Sequence, residues 1–288
     1  MEIDNLSVFQ TDSKIVSEYF NIHDNYLIEY DHNLEKEYCI VYFSSNDLYY
    51  PNNENSFRES IIEKNRFEWY GSRINVGHKH IFIRDIQKQW YLGGINARIN
   101  TPQKLYDFLV EETLGYKIIL LGSSAGGFAS VIYGQMLKAE RIYSFNGQFE
   151  ILSLLKRSSE NIDPLVFRNR ENKEILKFYD SRNFISSPKT IFYFHSLKSS
   201  WDIEQSQLVK DLGLYQINFT SNNHGLPFYR FNLQYVLNLD LSELVSFSKK
   251  NINPFFFSIR LIGFYKTIYN YYLLSTNYVI KLAKRKLF

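Results

Sequence analysis

The stretch KIILLGSSAGGFA, from Lys117 to Ala129, starts as an apolar run, passes through glycines and ends in small residues. This order predicts a β-strand, a tight turn and a helix. Within it, Gly122-Ser123-Ser124-Ala125-Gly126, hereafter the glycine turn, has a glycine two residues before and two residues after Ser124. The glycines permit a sharp turn that holds the central serine in a strained backbone position at the carboxyl edge of a sheet. The pattern therefore favours Ser124 as a nucleophile, with a purely structural or phosphate-cradling turn as the alternative.

The residues around Ser124 also carry expectations. Ala125 begins the helix that follows the turn, so its backbone amide is a candidate oxyanion donor. Ser123 is the rival nucleophile, but it lacks the central place between the two glycines.

Outward from the glycine turn, short β-branched and aromatic runs alternate with amphipathic stretches. The alternation predicts an α/β fold with a mostly parallel sheet of about six or more strands flanked by helices. The expected strands are Tyr38–Phe43, Lys79–Arg84, Lys117–Leu121, Arg141–Phe145, Thr190–Phe194 and Tyr215–Phe219. Helices are expected from an N-cap at Thr101 with Pro102 to Leu114, and from Gly126 to Lys138.

Two segments depart from this alternation of strand and helix patterns. Residues 149–188 carry mixed charge with weak periodicity, which predicts a cap-like insertion in a catalytic domain of residues 1–252. Residues 253–288 contain six Lys and Arg and no Asp or Glu, with apolar residues spaced by three and four. This pattern predicts a basic amphipathic C-terminal helical segment that binds an anionic membrane surface, or a helix packed on the domain with solvated charges.

A serine nucleophile needs a base and an acid to orient that base. Only His195 and His224 follow Ser124 in the chain, and His224 lies after the last expected strand, so we assign His224 as the base. His195 ends a strand, where a residue satisfied by backbone hydrogen bonds is the plainer interpretation.

For the acid we choose Asp202, on the loop between the last two expected strands. Its structural alternative is an N-cap for the helix expected from Ile203. Asp180 and Glu150 are the fallback acids. Trp201, beside Asp202, is grouped with the substrate-binding residues.

Further site residues are expected at the same sheet edge. The backbone amide of Ser45 or Asn46, after the first expected strand, is the candidate second oxyanion donor, with an ordinary polar turn as the alternative. Arg84 ends the second strand, with Asp85 and Trp90 after it, and these three residues are candidate substrate contacts, because open α/β sheets bind ligands at this edge. A structural Arg84–Asp85 ion pair above a buried Trp90 is the equal alternative.

Composition and short motifs argue against secreted, membrane-spanning, metal-binding and nucleic-acid-binding proteins. The single cysteine, Cys39, can form no internal disulfide and fits a reducing compartment. The polar, acidic start Met1-Glu2-Ile3-Asp4-Asn5 is unlike a signal peptide. The sequence contains no run of about 18 uncharged apolar residues, so we expect no membrane span. Metal-ligand spacings and basic nucleic-acid recognition motifs are absent, so neither metal nor nucleic acid is expected.

With the glycine turn and the chain order Ser124, Asp202, His224, residues 38–240 resemble the α/β hydrolases. More narrowly, Ile83-Arg84-Asp85 with Trp90 and Ser124-Ala125-Gly126-Gly127-Phe128 are similar to α/β-hydrolase-like proteins of bacterial capsule-polysaccharide loci, some of which are polysaccharide O-acetyltransferases. The resemblance implies acetyl-CoA as donor, an acetyl-Ser124 intermediate and a hydroxyl of a capsular or other surface glycan as acceptor. The lone cysteine and the N-terminal sequence predict a cytoplasmic protein, and the basic tail predicts a peripheral place at the inner membrane of a bacterium if it does not pack on the domain.

Two alternatives to this O-acyltransferase remain open. A carboxylesterase or other serine hydrolase would share every step except that water takes the acyl group. A non-catalytic accessory protein of glycan assembly or secretion would keep the fold without the chemistry, although a complete triad counts against it.

Overall fold

The computed structural model describes the backbone of residues 8–286 and the side chains of residues 8–276. The N-terminal residues 1–5 considered above and the basic side chains from Lys281 onward lie outside these ranges. The described part contains eight strands, β1 (Tyr26–Tyr30), β2 (Tyr38–Phe43), β3 (Gly77–Ile83), β4 (Lys117–Ser123), β5 (Arg141–Phe145), β6 (Ile191–Ser196), β7 (Tyr215–Phe219) and β8 (Asn251–Ile252).

Twelve α-helices occupy the described residues: α1 (Phe9–Asp12), α2 (Lys14–Ile22), α3 (Glu54–Phe57), α4 (Pro102–Glu112), α5 (Ala125–Met136), α6 (Pro164–Arg168), α7 (Lys173–Leu176), α8 (Ser200–Gln207), α9 (Leu233–Leu237), α10 (Leu241–Phe247), α11 (Pro254–Ile262) and α12 (Phe264–Lys286). A π-helical segment follows α3 at Arg58–Glu63. The 3₁₀ turns are Leu152–Lys156, Lys177–Tyr179, Ser181–Phe184, Pro188–Thr190 and Arg230–Asn232.

The strands form one sheet in the order β1-β3-β2-β4-β5-β6-β7-β8. Every neighbouring pair is parallel except β1 with β3. The predicted α/β class, a mostly parallel sheet of six or more strands flanked by helices, is confirmed, and all six predicted strands are present with ends shifted by at most two residues. The sequence pattern missed β1 and β8, both of which lie at edges of the sheet.

Helices cover both faces of the sheet, and β2 shows why its sequence is apolar throughout. Cys39, Val41 and Phe43 belong to one buried cluster, whereas Ile40 and Tyr42 belong to the cluster on the opposite face. Successive strand residues point to opposite faces, so a strand buried on both sides has no polar alternation. Burial also raises the pKa of the Cys39 thiol to about 12.

The helix expected after Thr101 is confirmed as α4, with the Thr101 side chain accepting a hydrogen bond from the Lys104 amide. The helix expected from Gly126 is α5, which begins one residue earlier, at Ala125. These two helices pack on the central strands and fix the position of the glycine turn.

Residues 149–188, predicted as a cap-like insertion, fold into short helical turns. Phe149, Val166 and Tyr179 of this segment are fully buried in the same cluster as β2, so part of the segment is core. Arg157 instead reaches the cavity described below.

The predicted C-terminal segment consists of two helices with different surroundings. Phe257 of α11 packs into the core, with 2% of its surface exposed. By contrast, α12 leaves aromatic side chains in solvent, with Tyr265 88% and Tyr272 64% exposed. Among the described residues, no helix combines the length and apolar character that crossing a bilayer requires.

Candidate active site

The glycine turn joins β4 directly to α5 and gives Ser124 a strained backbone. Ser124 has φ 51° and ψ −120°, a conformation that L-residues adopt only where the surroundings enforce it. Its amide donates to the Phe145 carbonyl at 2.9 Å, which ties the turn to the neighbouring strand β5. A Cβ on Gly122 would lie 2.3 Å from the Gly126 backbone, and a Cβ on Gly126 would lie 2.3 Å from the Phe43 carbonyl oxygen. Both glycines are therefore required by close approach.

Ser124 contacts His224, on the loop after β7, and His224 in turn contacts Asp202, in the first turn of α8. The Oγ of Ser124 lies 2.9 Å from Nε2 of His224, and Nδ1 of His224 lies 2.7 Å from Oδ1 of Asp202. A carboxylate can only accept, so the network assigns the proton of neutral His224 to Nδ1. Nε2 is then free to accept the Ser124 hydroxyl proton, which is the geometry that base-assisted nucleophilic attack requires.

Asp202 lies within the first turn of α8 and does not cap it. The N-cap residue is Ser199, so the helix begins earlier than the sequence pattern indicated and the expected N-cap alternative does not apply. The Asp202 side chain is 2% exposed, whereas that of His224 is 36% exposed. The acid is thus buried beneath a base that opens to solvent.

The rival histidine His195 and the fallback acids Asp180 and Glu150 take no part in the hydrogen-bonded series of Ser124, His224 and Asp202. His195 is buried in β6 and stacks on Tyr193, and neither of its ring nitrogens has a hydrogen-bond partner within the described chain. Burial lowers the pKa of His195 and favours the neutral ring. The fallback acid Asp180 pairs with Arg182 at 2.6 Å, and the Glu150 carboxylate accepts from the Ser153 amide.

Asn146 is a site residue that the sequence analysis missed. It follows β5 with φ 45°, and its Nδ2 donates to the carbonyls of Asn223 and Gly225 at 2.8 and 3.0 Å. Its Oδ1 accepts from the Ser196 amide at 2.9 Å. Asn146 therefore holds the loop on both sides of His224. Its place at the carboxyl end of a strand beside the nucleophile strand was the available signal.

Gln148 is the second residue missed. Its Nε2 lies 3.4 Å from Oγ of Ser124, and its Oε1 accepts from the indole N–H of Trp90 at 3.1 Å. Because an indole can only donate, Trp90 sets the orientation of the amide and turns its NH₂ group toward Ser124. Trp90 thus supports the site through Gln148 and also lines the cavity.

Trp201 lies against the base. Its ring stacks on His224 with 5.1 Å between centroids and an interplanar angle of 18°. Trp201 also lines the cavity, as expected of a substrate contact. The stack restricts rotation of the imidazole away from the orientation in which it contacts both Ser124 and Asp202.

The three expected oxyanion donors have different surroundings. Ala125 lies in the first turn of α5, where N–H groups have no acceptor in their own helix. The amide of Ser45 instead donates to Oε2 of Glu68 at 2.5 Å. The Asn46 amide has no acceptor among the described residues, and Asn46 lines the cavity, whereas Ala125 is fully buried.

Arg84 and Asp85, expected as substrate contacts, do not line the cavity and are 2% and 3% exposed. They do not pair with each other either. Arg84 donates to Asn25, Tyr19 and the Arg66 carbonyl. Asp85 accepts from the backbone amides of Gln87, Lys88, Gln89 and Tyr91. Both residues organise the loop that carries Trp90.

A cavity of about 660 Å³ opens above Ser124 and His224. Its charged lining residues are Asp47, Glu68, Lys88, Arg157 and Arg230. Burial lowers the pKa of Lys88 to about 8. Within the described residues, no three or more His, Cys, Asp or Glu side chains are grouped so that they could hold a metal ion.

No family model matches this chain, and no curated protein matches it in sequence. Solved structures that are similar to it include the capsule O-acetyltransferase of Neisseria meningitidis serogroup A, at 12% identity and a TM-score of 0.47, covering 68% of this chain and 82% of that one. A protein of unknown function from Staphylococcus aureus has 12% identity and a TM-score of 0.45, covering 77% and 94%. The acylaminoacyl peptidase of Pyrococcus horikoshii has 15% identity and a TM-score of 0.45, covering 76% and 41%. The roles of residues in this chain therefore rest on its own geometry.

Proposed function

We propose that this protein is a serine-dependent acyl-transfer enzyme in which Ser124 forms a covalent acyl intermediate. The observation that carries the proposal is the continuous hydrogen-bonded series from Ser124 Oγ to His224 at 2.9 Å and from His224 to Asp202 at 2.7 Å. The strained backbone of Ser124, at the floor of a cavity, supports the same role.

The proposed reaction has two halves. Ser124 Oγ attacks the carbonyl carbon of the acyl donor while His224 Nε2 takes the hydroxyl proton, and Asp202 stabilises the imidazolium that forms. The tetrahedral oxyanion is stabilised by the Ala125 amide and a second amide from the loop after β2. The intermediate collapses, the bond to the leaving group breaks, and His224 returns the proton to that group. An acceptor hydroxyl then repeats the sequence on the acyl-enzyme and restores Ser124.

The specific form we propose is acetyl transfer from acetyl-CoA to a hydroxyl of a capsular or other surface polysaccharide. The motifs shared with proteins of capsule-polysaccharide loci suggest this form. Three cationic side chains around the cavity, Lys88, Arg157 and Arg230, have the charge that phosphate groups of such a donor need. Carboxylates such as Asp47 can accept hydrogen bonds from sugar hydroxyls.

Hydrolysis of a soluble ester is the second candidate. It is favoured by the exposure of His224, because water reaches a base that is 36% exposed and can take the place of the acceptor hydroxyl. Both candidates share every step up to the acyl-enzyme.

For location, we propose a cytoplasmic protein held at the inner face of a bacterial membrane through α12. The exposed aromatic residues of this helix, among them Phe264, Tyr265 and Tyr269, are of the kind that enter the headgroup region of a bilayer. Lys266, on the same helix, adds attraction to anionic lipid.

Intact-protein mass spectrometry after mixing with acetyl-CoA, with and without a panel of polysaccharides, tests the proposal. Acetylated enzyme that discharges only onto a polysaccharide supports transfer, whereas release of free acetate without an acceptor supports hydrolysis. Ser124→Ala is the control. Acetylation that persists in this variant would contradict the proposal.

A further inference from the structure

Glu68 faces the same cavity as Ser124, and its backbone is fixed from both sides. Phe67 is buried, with the guanidinium of Arg84 lying 4.4 Å from its ring centroid. Trp69 is also buried, and its indole N–H donates to the Phe43 carbonyl at 2.8 Å. Only the side chain of Glu68 is therefore free to change position.

The Glu68 carboxylate accepts a hydrogen bond from the backbone amide of Ser45, one of the expected oxyanion donors. Its Oε2 accepts from the Ser45 amide at 2.5 Å, and its Oε1 accepts from Ser123 Oγ at 3.4 Å. Strands β2 and β4 are parallel, with Phe43 opposite Gly122 as the last pair, and the loops that follow bring both Ser45 and Ser124 to the lining of the cavity. An N–H at this place, together with the one after the nucleophile, stabilises the oxyanion in acyl-transfer sites of this geometry.

The charges around Glu68 leave its carboxylate without an ion pair among the described residues. Arg66 is the nearby cation, and its guanidinium is bonded to the Leu48 carbonyl. Asp47 adds negative charge, and Lys88 and His224 line the same cavity. Burial raises the pKa of Glu68, although the hydrogen bonds from Ser45 oppose that shift.

We propose that ionised Glu68 competes with the acyl carbonyl oxygen for the Ser45 amide, so that acylation of Ser124 is fast only when Glu68 is protonated or turned away. This inference rests on the proposed function. A charge-assisted hydrogen bond from an amide to a carboxylate is roughly twice as strong as one to a neutral oxygen. The carboxylate also places a negative charge beside the oxyanion that forms, and like charges destabilise each other.

The sign of the pH effect follows from these contacts. Below the pKa of Glu68 the neutral acid holds the Ser45 amide weakly, and the oxyanion site is available. As the pH rises through that pKa, the carboxylate occupies the amide and acylation slows. Glu68→Gln has nearly the same size and stays neutral, so it is expected to lack this loss.

The test compares the rate of Ser124 labelling by a neutral fluorophosphonate probe in wild type and in Glu68→Gln across a range of pH. The phosphoryl oxygen of the probe uses the oxyanion site, and the ratio of the two rates at each pH removes the pH effects that both proteins share. We expect the Glu68→Gln to wild-type ratio to stay near unity at low pH and to rise to about tenfold or more, since losing one oxyanion donor costs roughly 10²–10³ in rate. A ratio that is flat or falls with pH would overturn the inference.

Asp47→Asn is the matched control, because it removes a carboxylate from the same cavity without touching the Ser45 amide. Because the Asp47 carboxylate raises the pKa of Glu68, its removal should move the fall in rate to lower pH, and the ratio to wild type should be the same at both ends of the pH range. If Asp47→Asn and Glu68→Gln give the same rise, general cavity charge explains the effect and the inference fails.

The Ser45 amide resonance, followed by NMR during the same pH titration, tests the contact independently of activity. A resonance that moves downfield as Glu68 ionises in wild type, and does not in Glu68→Gln, supports the contact, whereas an amide that does not titrate overturns it. Absence of Ser124 labelling in every protein, with a titrating Ser45 amide, would instead overturn the proposed function and leave the contact standing.

Discussion

Ser124 Oγ and His224 Nε2 lie 2.9 Å apart although 100 positions separate the two residues in the chain. Three consecutive parallel pairings, β4 with β5, β5 with β6 and β6 with β7, bring their loops to one edge of the sheet. The contact is therefore a product of strand order, and its chemical consequences can be measured residue by residue.

Removing the base or the acid is expected to cost far more than removing His195. His224→Ala and Asp202→Asn should each lower kcat/KM about 10⁴-fold, because they remove the proton acceptor or the group that fixes its tautomer. His195→Ala should cost much less, since the His195 ring makes no hydrogen bond to Ser124 or Asp202. Steady-state kinetics with an ester substrate checks all three.

When catalytic residues act as a unit, removing a second one costs little further activity. The double variant Ser124→Ala with His224→Ala should therefore be hardly worse than either single variant. Equal damage from His195→Ala and His224→Ala, with a nearly neutral Asp202→Asn, would show that the triad is misassigned and would make Asp180 or Glu150 the next acid to test.

Asn146 is expected to position the base. Asn146→Gly keeps the positive φ but removes the bonds to Asn223 and Gly225, so His224 is less well placed, and displacement of about 1 Å can cost about 10²-fold in rate. Asn25→Gly is the matched control, because Asn25 is also buried with φ 55°, and its side-chain bonds go to Ile95 and Arg84, neither of which lines the cavity.

Thermal unfolding and kcat/KM together decide this prediction. Both variants should lower the Tm, since each leaves buried polar groups without partners, at about 1–3 kcal/mol each. Only Asn146→Gly should lose activity. If Asn25→Gly loses as much, the effect is one of stability and the positioning role is wrong.

Trp201 is expected to restrict the imidazole of His224 by stacking. An aromatic pair contributes about 0.5–1.5 kcal/mol beyond its buried area, so Trp201→Ala should lower kcat by about two- to tenfold. Trp201→Phe retains a ring and should recover most of that loss. Equal kcat in Trp201→Ala and wild type would limit Trp201 to packing.

The glycine turn, six strands and all three members of the proposed triad could be predicted from the sequence, because each depends on local pattern and chain order. Asn146 and Gln148 could not, because their roles depend on which loops meet at the sheet edge. Arg84 and Asp85 follow a strand as ligand-binding residues do, yet they turn inward. Whether these side chains face the cavity or the core depends on the packing of Tyr19 and of the loop that ends at Tyr91. No local sequence pattern encodes that packing.

The C-terminal helix is expected to bind anionic membrane. Truncation after Gly263 removes α12 and keeps α11, whose Phe257 is part of the core, whereas truncation after Asn251 would also remove that packing. Loss of α12 should weaken sedimentation with anionic liposomes, and added salt should weaken binding of the full chain in the same way. Unchanged binding by the truncated protein would contradict a membrane role for α12.

The most direct test of the central claim is to locate the acyl group on the protein. After brief mixing with an activated acetyl ester and an acid quench, peptides are fragmented by mass spectrometry so that Ser123 and Ser124 are distinguished. We expect acetylation of Ser124 in wild type and in Ser123→Ala, and none in a Ser124→Ala protein whose circular dichroism is unchanged. An acetyl group on Ser123, or turnover that survives Ser124→Ala within a few-fold of wild type, would contradict the account.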